Sequence, residues 1–168
     1  MVLERKYFKR VVNLDLVVNI SGTNGNIQIS LSPKSAGDIE DSSGSLVFPF
    51  YNDNFVMTFH MKRKGWEFPA GTREEGETPL ECAKRESFEE AGAILKNVKA
   101  LGYYTVNNGD KKLKYAIYKA EIDRFEPKPS WSETDLVKLF TELPEDISYQ
   151  DDVYKIVLNH IKSTEGKM

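Results

Sequence analysis

Hydrophobic and polar residues alternate along the first part of the chain. Apolar side chains occupy every second position from Val12 to Ile20 and again from Ile27 to Leu31, with a polar segment over residues 21–26 between the two runs. A period of two is typical of a half-buried strand. The pattern therefore predicts an N-terminal β-hairpin.

A stretch rich in Ser, Gly, Asp and Pro over residues 32–45 follows, and this composition predicts a loop. Beyond the loop, strand-like segments and two helical segments follow one another. The predicted strands cover residues 46–51, 55–61, 66–68, 98–106, 113–122 and 137–140, and the predicted helices cover residues 79–91 and 147–161. This order predicts a mixed β-sheet with a helix on either side.

The first predicted helix has a clear start and a clear end. Thr78 supplies an N-cap hydroxyl, Pro79 suits the first helical position, and Glu81 completes a capping box. Gly92 supplies a C-terminal stop. We therefore expect the helix to begin at Pro79 and to end just before Gly92.

One face of this helix is acidic. At about 100° per residue, Glu89 lies about 60° to one side of Glu86, and Glu90 lies about 40° to the other side. An adjacent stripe of small or apolar residues predicts close packing against the sheet. The stripe consists of Leu80, Ala83, Ser87 and Ala91.

The acidic face is unfavourable in an isolated helix. Like charges three and four residues apart repel by roughly 0.2–0.5 kcal/mol per pair. Glu89 and Glu90 also lie in the last turn, where the helix dipole favours cations. A bound divalent cation would reverse both effects, and oxygen ligands are those that Mg²⁺ prefers. The alternative is an ordinary glutamate-rich surface helix.

The residues around the glutamates favour the metal site. Residues 71–93 fit the pattern G-x5-E-x7-R-E-U-x-E-E-x-G-U, where U is apolar, except that Ser87 occupies the first apolar position. Seven identities in one register arise by chance with a probability on the order of 10⁻⁸ or less. At this point the chain resembles the Nudix hydrolases, and residues 66–71 and 143–145 extend the likeness. We interpret Ser87 as a packing variation whose hydroxyl bonds back to a carbonyl one turn earlier.

The resemblance implies a fold and a reaction. The fold is an α/β/α sandwich with a mixed β-sheet, to which this chain adds an N-terminal β-hairpin extension. Residues 1–168 are expected to form a single domain, with a hairpin and loop extension over 1–42 and the Nudix core over 43–163. Members of the family typically hydrolyse a nucleoside diphosphate linked to another group, and they use Mg²⁺, for which Mn²⁺ can substitute, and an activated water.

The resemblance also implies a metal site. The pattern makes Glu86, Glu89 and Glu90 the metal-binding carboxylates, and Gly71 would add its backbone carbonyl. Glycine suits that position because it permits a close approach of the backbone. Either Glu86 or Glu89 is the candidate catalytic base, and the sequence does not separate the two roles.

Two further residues of the pattern are interpreted as braces. The guanidinium of Arg85 is expected to hold the loop carboxylate of Glu77 and to orient Glu86, which places Arg85 in the catalytic set. Glu133 precedes the last predicted strand, where many family members add an acidic residue to the site. It is a candidate catalytic residue and equally an exposed loop acid.

Residues ahead of the pattern are candidates for binding the substrate. Lys62, Arg63 and Glu67 form this set, and the basic residues are also compatible with a simple exposed turn. Aromatic side chains could stack on a base, although aromatics in strands more often belong to the core. These aromatics are Trp66, Phe68, Tyr103 and Tyr104.

Several substrates remain open. The segment after Gly92 is similar to that of small bacterial nucleoside triphosphatases, so we rank an unmodified or oxidised nucleoside triphosphate first. ADP-ribose or another dinucleotide ranks second, because the extra N-terminal strands and Pro69-Ala70-Gly71 resemble the ADP-ribose pyrophosphatases. A triphosphorylated RNA 5′ end ranks third. A non-catalytic nucleotide-binding sensor is the alternative outside the enzymes.

The composition of the chain indicates its domain number, its partners and its compartment. The chain has 168 residues and is 40% hydrophobic, which suits one domain with a substantial core. A net charge of −3 gives no general attraction to nucleic acid. The single cysteine, Cys82, fits a reducing compartment and is interpreted as a buried structural thiol. No apolar stretch is long enough for a signal peptide or a membrane span. We therefore expect a cytoplasmic monomer or homodimer whose partner is a nucleotide.

Overall fold

The computed structural model describes residues 15–22, 24–132 and 134–165. The described residues form nine strands and three helices. The strands are β1 (Leu16–Gly22), β2 (Gly25–Leu31), β3 (Gly44–Tyr51), β4 (Asn54–His60), β5 (Gly65–Glu67), β6 (Ala70–Thr72), β7 (Ala93–Asn107), β8 (Lys112–Phe125) and β9 (Thr134–Phe140). The helices are α1 (Pro33–Ala36), α2 (Pro79–Ala91) and α3 (Val153–Thr164).

The predicted N-terminal hairpin is confirmed. Strands β1 and β2 pair antiparallel from Leu16↔Leu31 to Gly22↔Gly25. Strand β2 then pairs antiparallel with β7, so the hairpin extends the main sheet. Residues 12–14 of the predicted first strand lie outside the described residues.

The sheet is mixed, as the order of elements predicted. Its strands follow the order β1-β2-β7-β8-β3-β4-β5, while β6 pairs with β3 and β9 pairs with β4. Strands β3 and β8 run parallel, and the other strand pairs are antiparallel. Strand β3 therefore lies in the interior of the sheet. Its pairing with β6 places β6 beside helix α2.

Each face of the sheet has its own core. Helix α3 buries Tyr154, Val157 and Ile161 in a cluster with Phe48 and Phe68. On the other face, Ala83 of α2 lies in a second cluster, whose members include Val47, Ala116 and Tyr118. The predicted α/β/α fold class is thus confirmed. In the ranges described, no helix combines the length and the apolar content needed to cross a membrane.

The structure departs from the predicted elements in several places. Strands β7 and β9 begin at Ala93 and Thr134, earlier than the predicted residues 98 and 137. Residues 33–36 of the predicted loop form helix α1, because Ser32 accepts a hydrogen bond from the Ser35 N–H at 2.9 Å and Pro33 occupies the first turn. Strand β6 has only three residues, too few to show a period in the sequence. Helix α3 begins at Val153 and not at residue 147, since Ile147 forms a parallel bridge with Trp66 of β5.

Gly102 allows β7 to lie close to β2. Its φ is +150°, and a Cβ at this position would stand 2.0 Å from the carbonyl oxygen of Ser30. The pairing between β7 and β8 shifts register between Ala100 and Gly102. A glycine is therefore required where the hairpin joins the sheet.

Replacing Gly102 with alanine should destabilise the protein. The added Cβ would meet backbone atoms, and the residue would hold a φ that L-amino acids rarely adopt, so we expect a loss of about 2–4 kcal/mol in the free energy of unfolding. Urea denaturation measures the loss. Gly37→Ala is the control, because φ is −85° there and the nearest atom to an added Cβ is 3.5 Å away. Equal unfolding midpoints for the two variants would contradict the assignment.

Candidate active site

Helix α2 has the predicted boundaries. The Thr78 hydroxyl accepts a hydrogen bond from the Glu81 N–H at 3.1 Å, and the Glu81 carboxylate accepts one from the Thr78 N–H at 3.0 Å. Gly92 has a φ of 66°, and its N–H donates to the Phe88 and Ser87 carbonyls. Local capping chemistry alone therefore positions the acidic residues along this helix.

The side of α2 that packs on the sheet differs in part from the prediction. Ala83, Ser87 and Ala91 are buried as expected, and Cys82 is buried with them. Leu80 was wrongly included in this stripe, because it is 39% exposed and Cys82 packs in the first turns instead. Burial raises the pKa of the Cys82 thiol to about 11, which suits a structural role.

The account of Ser87 was also wrong. We expected its hydroxyl to bond back to a carbonyl one turn earlier. Among the described residues its Oγ has no hydrogen-bond partner, although the residue is fully buried. Ser87 therefore fits the sheet by its small size and not by a hydrogen bond.

Arg85 links the acidic face of α2 to the preceding loop. Its Nε and one terminal nitrogen bind the two Glu77 oxygens at 2.7 and 2.9 Å. The other terminal nitrogen contacts Glu86 at 2.8 Å and Glu89 at 3.2 Å. The same guanidinium also donates to the Thr72 carbonyl at the end of β6, at 3.0 Å. Arg85 lowers the pKa of Glu77 to about 2, so Glu77 is ionised throughout the neutral range.

Glu86 and Glu90 lie against the backbone of β6. A Cβ on Gly71 would stand 2.1 Å from a Glu86 carboxylate oxygen, so the space for this carboxylate exists only because residue 71 is glycine. Glu90 accepts a hydrogen bond from the Ala70 N–H at 3.3 Å. Burial and the adjacent Glu86 raise the pKa of Glu90 to about 9, and burial raises the pKa of Glu86 as well. The two carboxyl groups therefore share a proton at neutral pH when no cation is bound.

This donor set fits a hard divalent cation. Two crowded carboxyl groups offer oxygen ligands, which Mg²⁺ prefers. A divalent cation can replace the retained proton and offset the repulsion between the two carboxylates. Across the described ranges, no three His, Cys, Asp or Glu side chains converge on a ready-made ion site. Such a cation would therefore draw its remaining ligands from water and from phosphate oxygens, as Mg²⁺ commonly does.

Gly71 lies where the sequence placed it, but its carbonyl oxygen has other neighbours. The Cys82 Sγ lies 3.4 Å from this oxygen, and a Cβ added to Gly44 would stand 2.2 Å from it. The carbonyl of Gly71 as a metal ligand therefore stays a prediction. In this structure, what Gly71 provides to the carboxylates is space.

Two of the three candidate substrate-binding residues lie at the site, and the third does not. Arg63 and Glu67 form a bidentate ion pair, with N–O distances of 2.6 and 3.0 Å, and the Arg63 guanidinium lies 5.5 Å from the centre of the Tyr149 ring. Lys62 lies on an exposed turn and lines neither of the cavities described below. Glu133 lies outside the described residues, so its role stays a prediction.

Two adjoining cavities open at this site. The acidic cavity has a volume of about 350 Å³ and is lined by Glu86, Glu89 and Glu90 together with residues of β6 and of the loop before β9. The aromatic cavity has a volume of about 540 Å³, and Arg63, Ala70 and Gly71 line both. Its aromatic lining residues are Phe68, Tyr104, Tyr115, Tyr149 and Tyr154.

Sequence reasoning found part of this aromatic lining. Tyr104 was a candidate and lies in the aromatic cavity, whereas Tyr103 lies on the other face of β7 with the Lys114 ammonium 4.2 Å from its ring centre. Trp66 belongs to the core and does not line the cavity. The sequence analysis missed Tyr115 and Tyr149. Alternation in β8 could have indicated Tyr115, because Tyr115 pairs with Tyr104, which was already a candidate.

The fold and this acidic helix together define a class of hydrolase, and known proteins support that class. A NUDIX domain model matches residues 43–152. YtkD of Bacillus subtilis (strain 168), whose name provisionally assigns it an 8-oxo-dGTP diphosphatase activity, is 36% identical over 122 residues, or 68% of this chain and 77% of that protein.

Solved structures agree with this family match. The crystal structure of a glutamate-to-alanine variant of the Bacillus subtilis pyrophosphohydrolase BsRppH has a TM-score of 0.78 and 30% identity, and covers 88% of this chain and 97% of that one. A NUDIX family hydrolase from Clostridium perfringens, at 19% identity, shares the fold with a TM-score of 0.54 over 71% of this chain and 95% of that one. The chain belongs to the Nudix family and is a hydrolase of phosphoric anhydrides.

Arg85→Lys should lower activity. A lysine cannot reproduce the forked contacts to Glu77, Glu86 and Glu89, so the carboxylates would lose their orientation. We expect a fall of about 10–100-fold in kcat and a higher Mg²⁺ concentration for half-maximal rate. Steady-state kinetics over a Mg²⁺ titration measures both. Arg124→Lys is the matched control, because Arg124 is 59% exposed, pairs with Asp123 and Glu126, and lines neither cavity. Equal kinetics for the two variants would remove Arg85 from the site.

Proposed function

We propose that this enzyme hydrolyses the diphosphate linkage of a nucleoside triphosphate, unmodified or oxidised, with Mg²⁺ as its cofactor. The observation that carries the proposal is the junction of the acidic and aromatic cavities at Arg63, Ala70 and Gly71. A molecule with a polyphosphate at one end and a flat base at the other fits two such adjoining spaces. The name of YtkD, which provisionally assigns it an 8-oxo-dGTP diphosphatase activity, agrees with this substrate class.

Glu86, Glu89 and Glu90 would hold the cation. When bound, Mg²⁺ offsets the negative charge that develops on the phosphate oxygens and acidifies a coordinated water. Glu86 or Glu89 accepts a proton from the attacking water, and Arg85 keeps both carboxylates in position. Mn²⁺ is expected to substitute, since it accepts the same oxygen ligands.

Arg63 is the residue in this arrangement that would bind the phosphates. Its guanidinium lies where the two cavities join, and its ion pair with Glu67 fixes its direction. Fixed donors aimed at a polyphosphate position the phosphorus for attack. Glu67 then contributes to substrate binding through Arg63 and not by direct contact with an anion.

The cellular location and the oligomeric state of the enzyme are also proposals. The free, buried Cys82 thiol suits a reducing compartment, and we propose that the enzyme works in the cytoplasm. We propose that the enzyme is a monomer or a homodimer.

A substrate screen tests the proposal. We expect dGTP and 8-oxo-dGTP to be cleaved faster than ADP-ribose, a dinucleoside polyphosphate or a triphosphorylated RNA, each at the same Mg²⁺ concentration. The reason is that the site joins one aromatic cavity for a base to one acidic cavity for the phosphates. Chromatography that separates the products shows which bond breaks. Preference for ADP-ribose or for RNA would replace the proposed substrate, and cleavage in the presence of excess EDTA would refute the role of the metal.

Glu90→Gln should reduce turnover by a factor on the order of 10² or more, because it removes a charge that the cation needs. In the metal-free fold Glu90 must take up a proton at neutral pH, because burial raises its pKa to about 9, whereas an amide needs none. The metal-free variant should therefore be at least as stable as the parent protein. Kinetics and thermal unfolding measure the two effects. Glu142→Gln is the control, since Glu142 is exposed and lines neither cavity. Full activity of Glu90→Gln would remove Glu90 from the metal set.

A further inference from the structure

The N-terminal hairpin supplies part of the aromatic cavity. The match to the NUDIX domain covers residues 43–152, so strands β1 and β2 lie outside it. Nevertheless Asn24, at the tip of the hairpin, and Ile27, in β2, line the aromatic cavity. The hairpin is therefore part of the wall of this cavity, in addition to extending the sheet.

The pairing of β2 with β7 fixes the position of that wall. Ile27 pairs with Val106 and Ile29 pairs with Tyr104 in one antiparallel ladder. Ile27 is 4% exposed and packs in the main core, so its side chain is held firmly. A residue held by its own strand ladder can define a binding surface without rearrangement.

Next to this wall, the same face of the sheet continues as an aromatic surface. Tyr104 of β7 and Tyr115 of β8 are register partners, and their rings stack with a centroid distance of 5.1 Å and an interplanar angle of 22°. Flat aromatic surfaces of this kind bind nucleobases, and stacking contributes about 1–3 kcal/mol per base. A purine presents a larger ring surface than a pyrimidine and gains more from this contact.

We propose that the N-terminal hairpin is the base-specificity element of this enzyme and that it favours purine over pyrimidine nucleotides. Ile27 contacts the apolar face of the base, while the Asn24 carboxamide offers a donor and an acceptor to its edge. Because the acidic cavity holds the phosphates, the hairpin contacts the part of the substrate remote from the bond that breaks. This inference rests on the proposed nucleotide substrate, and it assigns the selection of the base to a segment outside the matched domain.

Two pairs of variants separate this role from a structural one. Asn24→Ala and Ile27→Val alter the wall of the cavity. Asn19→Ala and Ile29→Val are their controls in the same hairpin, because Asn19 is exposed, Ile29 is fully buried, and neither lines the cavity. The isoleucine pair loses the same methylene group from the same core, so a simple loss of stability affects both variants alike.

The readout is kcat/KM for dGTP divided by kcat/KM for dCTP. We expect Asn24→Ala and Ile27→Val each to lower this ratio by about threefold to tenfold, mainly through KM for dGTP, because they remove contacts made equally in the ground and transition states. The controls should leave the ratio unchanged. A ratio that is the same in all four variants, or that falls equally in the controls, would overturn the proposal.

A binding measurement distinguishes failure of this proposal from failure of the proposed function. In NMR spectra of the intact protein, the Asn24 side-chain amide and the Ile27 methyl signals should shift on addition of dGMP and shift less with dCMP. If the protein hydrolyses no nucleotide but these signals shift, the hairpin still binds purines and the proposed reaction fails. If dGTP is cleaved while these signals stay unchanged with dGMP, the hairpin proposal fails and the reaction stands.

Discussion

The acidic site depends on the contacts that the Arg85 guanidinium makes. One planar group joins the loop before α2, the end of β6 and two carboxylates of the helix. Without it, the glutamates would sit on a helix whose dipole opposes them and whose neighbours repel them. Its five donors in a fixed plane make this arrangement specific, which an ammonium group could not do. The geometry of the site is thus set by one side chain that need not touch the substrate.

The carboxylates themselves are held in an unfavourable state. Glu86 and Glu90 are close enough that one proton is retained between them at neutral pH. A glycine at position 71 is what allows this crowding, because any side chain there would occupy the space of the Glu86 carboxylate. The protein therefore accepts local instability at one face of α2, while the adjacent face packs small residues tightly on the sheet. Stability and chemistry are assigned to neighbouring faces of one helix.

The sequence predicted best what is encoded locally. The capping box and Gly92 fixed both ends of α2, and strict alternation revealed the hairpin. Prediction was weaker where a feature depends on distant segments. Leu80 fits an apolar stripe by angle, yet Cys82 is the residue that the sheet covers in its place. The aromatic cavity combines residues of β2, β7, β8 and the loop at 148–151, and no local pattern relates these segments. The hairpin, which the sequence analysis assigned to an extension of the Nudix core, contributes Asn24 and Ile27 to the lining of this cavity.

Cys82 has a practical consequence for work with this protein. Its thiol is fully buried beneath the backbone of β6 and ionises only at strongly alkaline pH. Maleimides and similar electrophiles are attacked by an accessible thiolate, so the native cysteine should remain unmodified in the folded state. A fluorophore or spin label can then be attached to an engineered surface cysteine while the wild-type background is kept intact. Two engineered surface cysteines, one on the hairpin and one on the acidic helix, would then report the distance between these elements in solution.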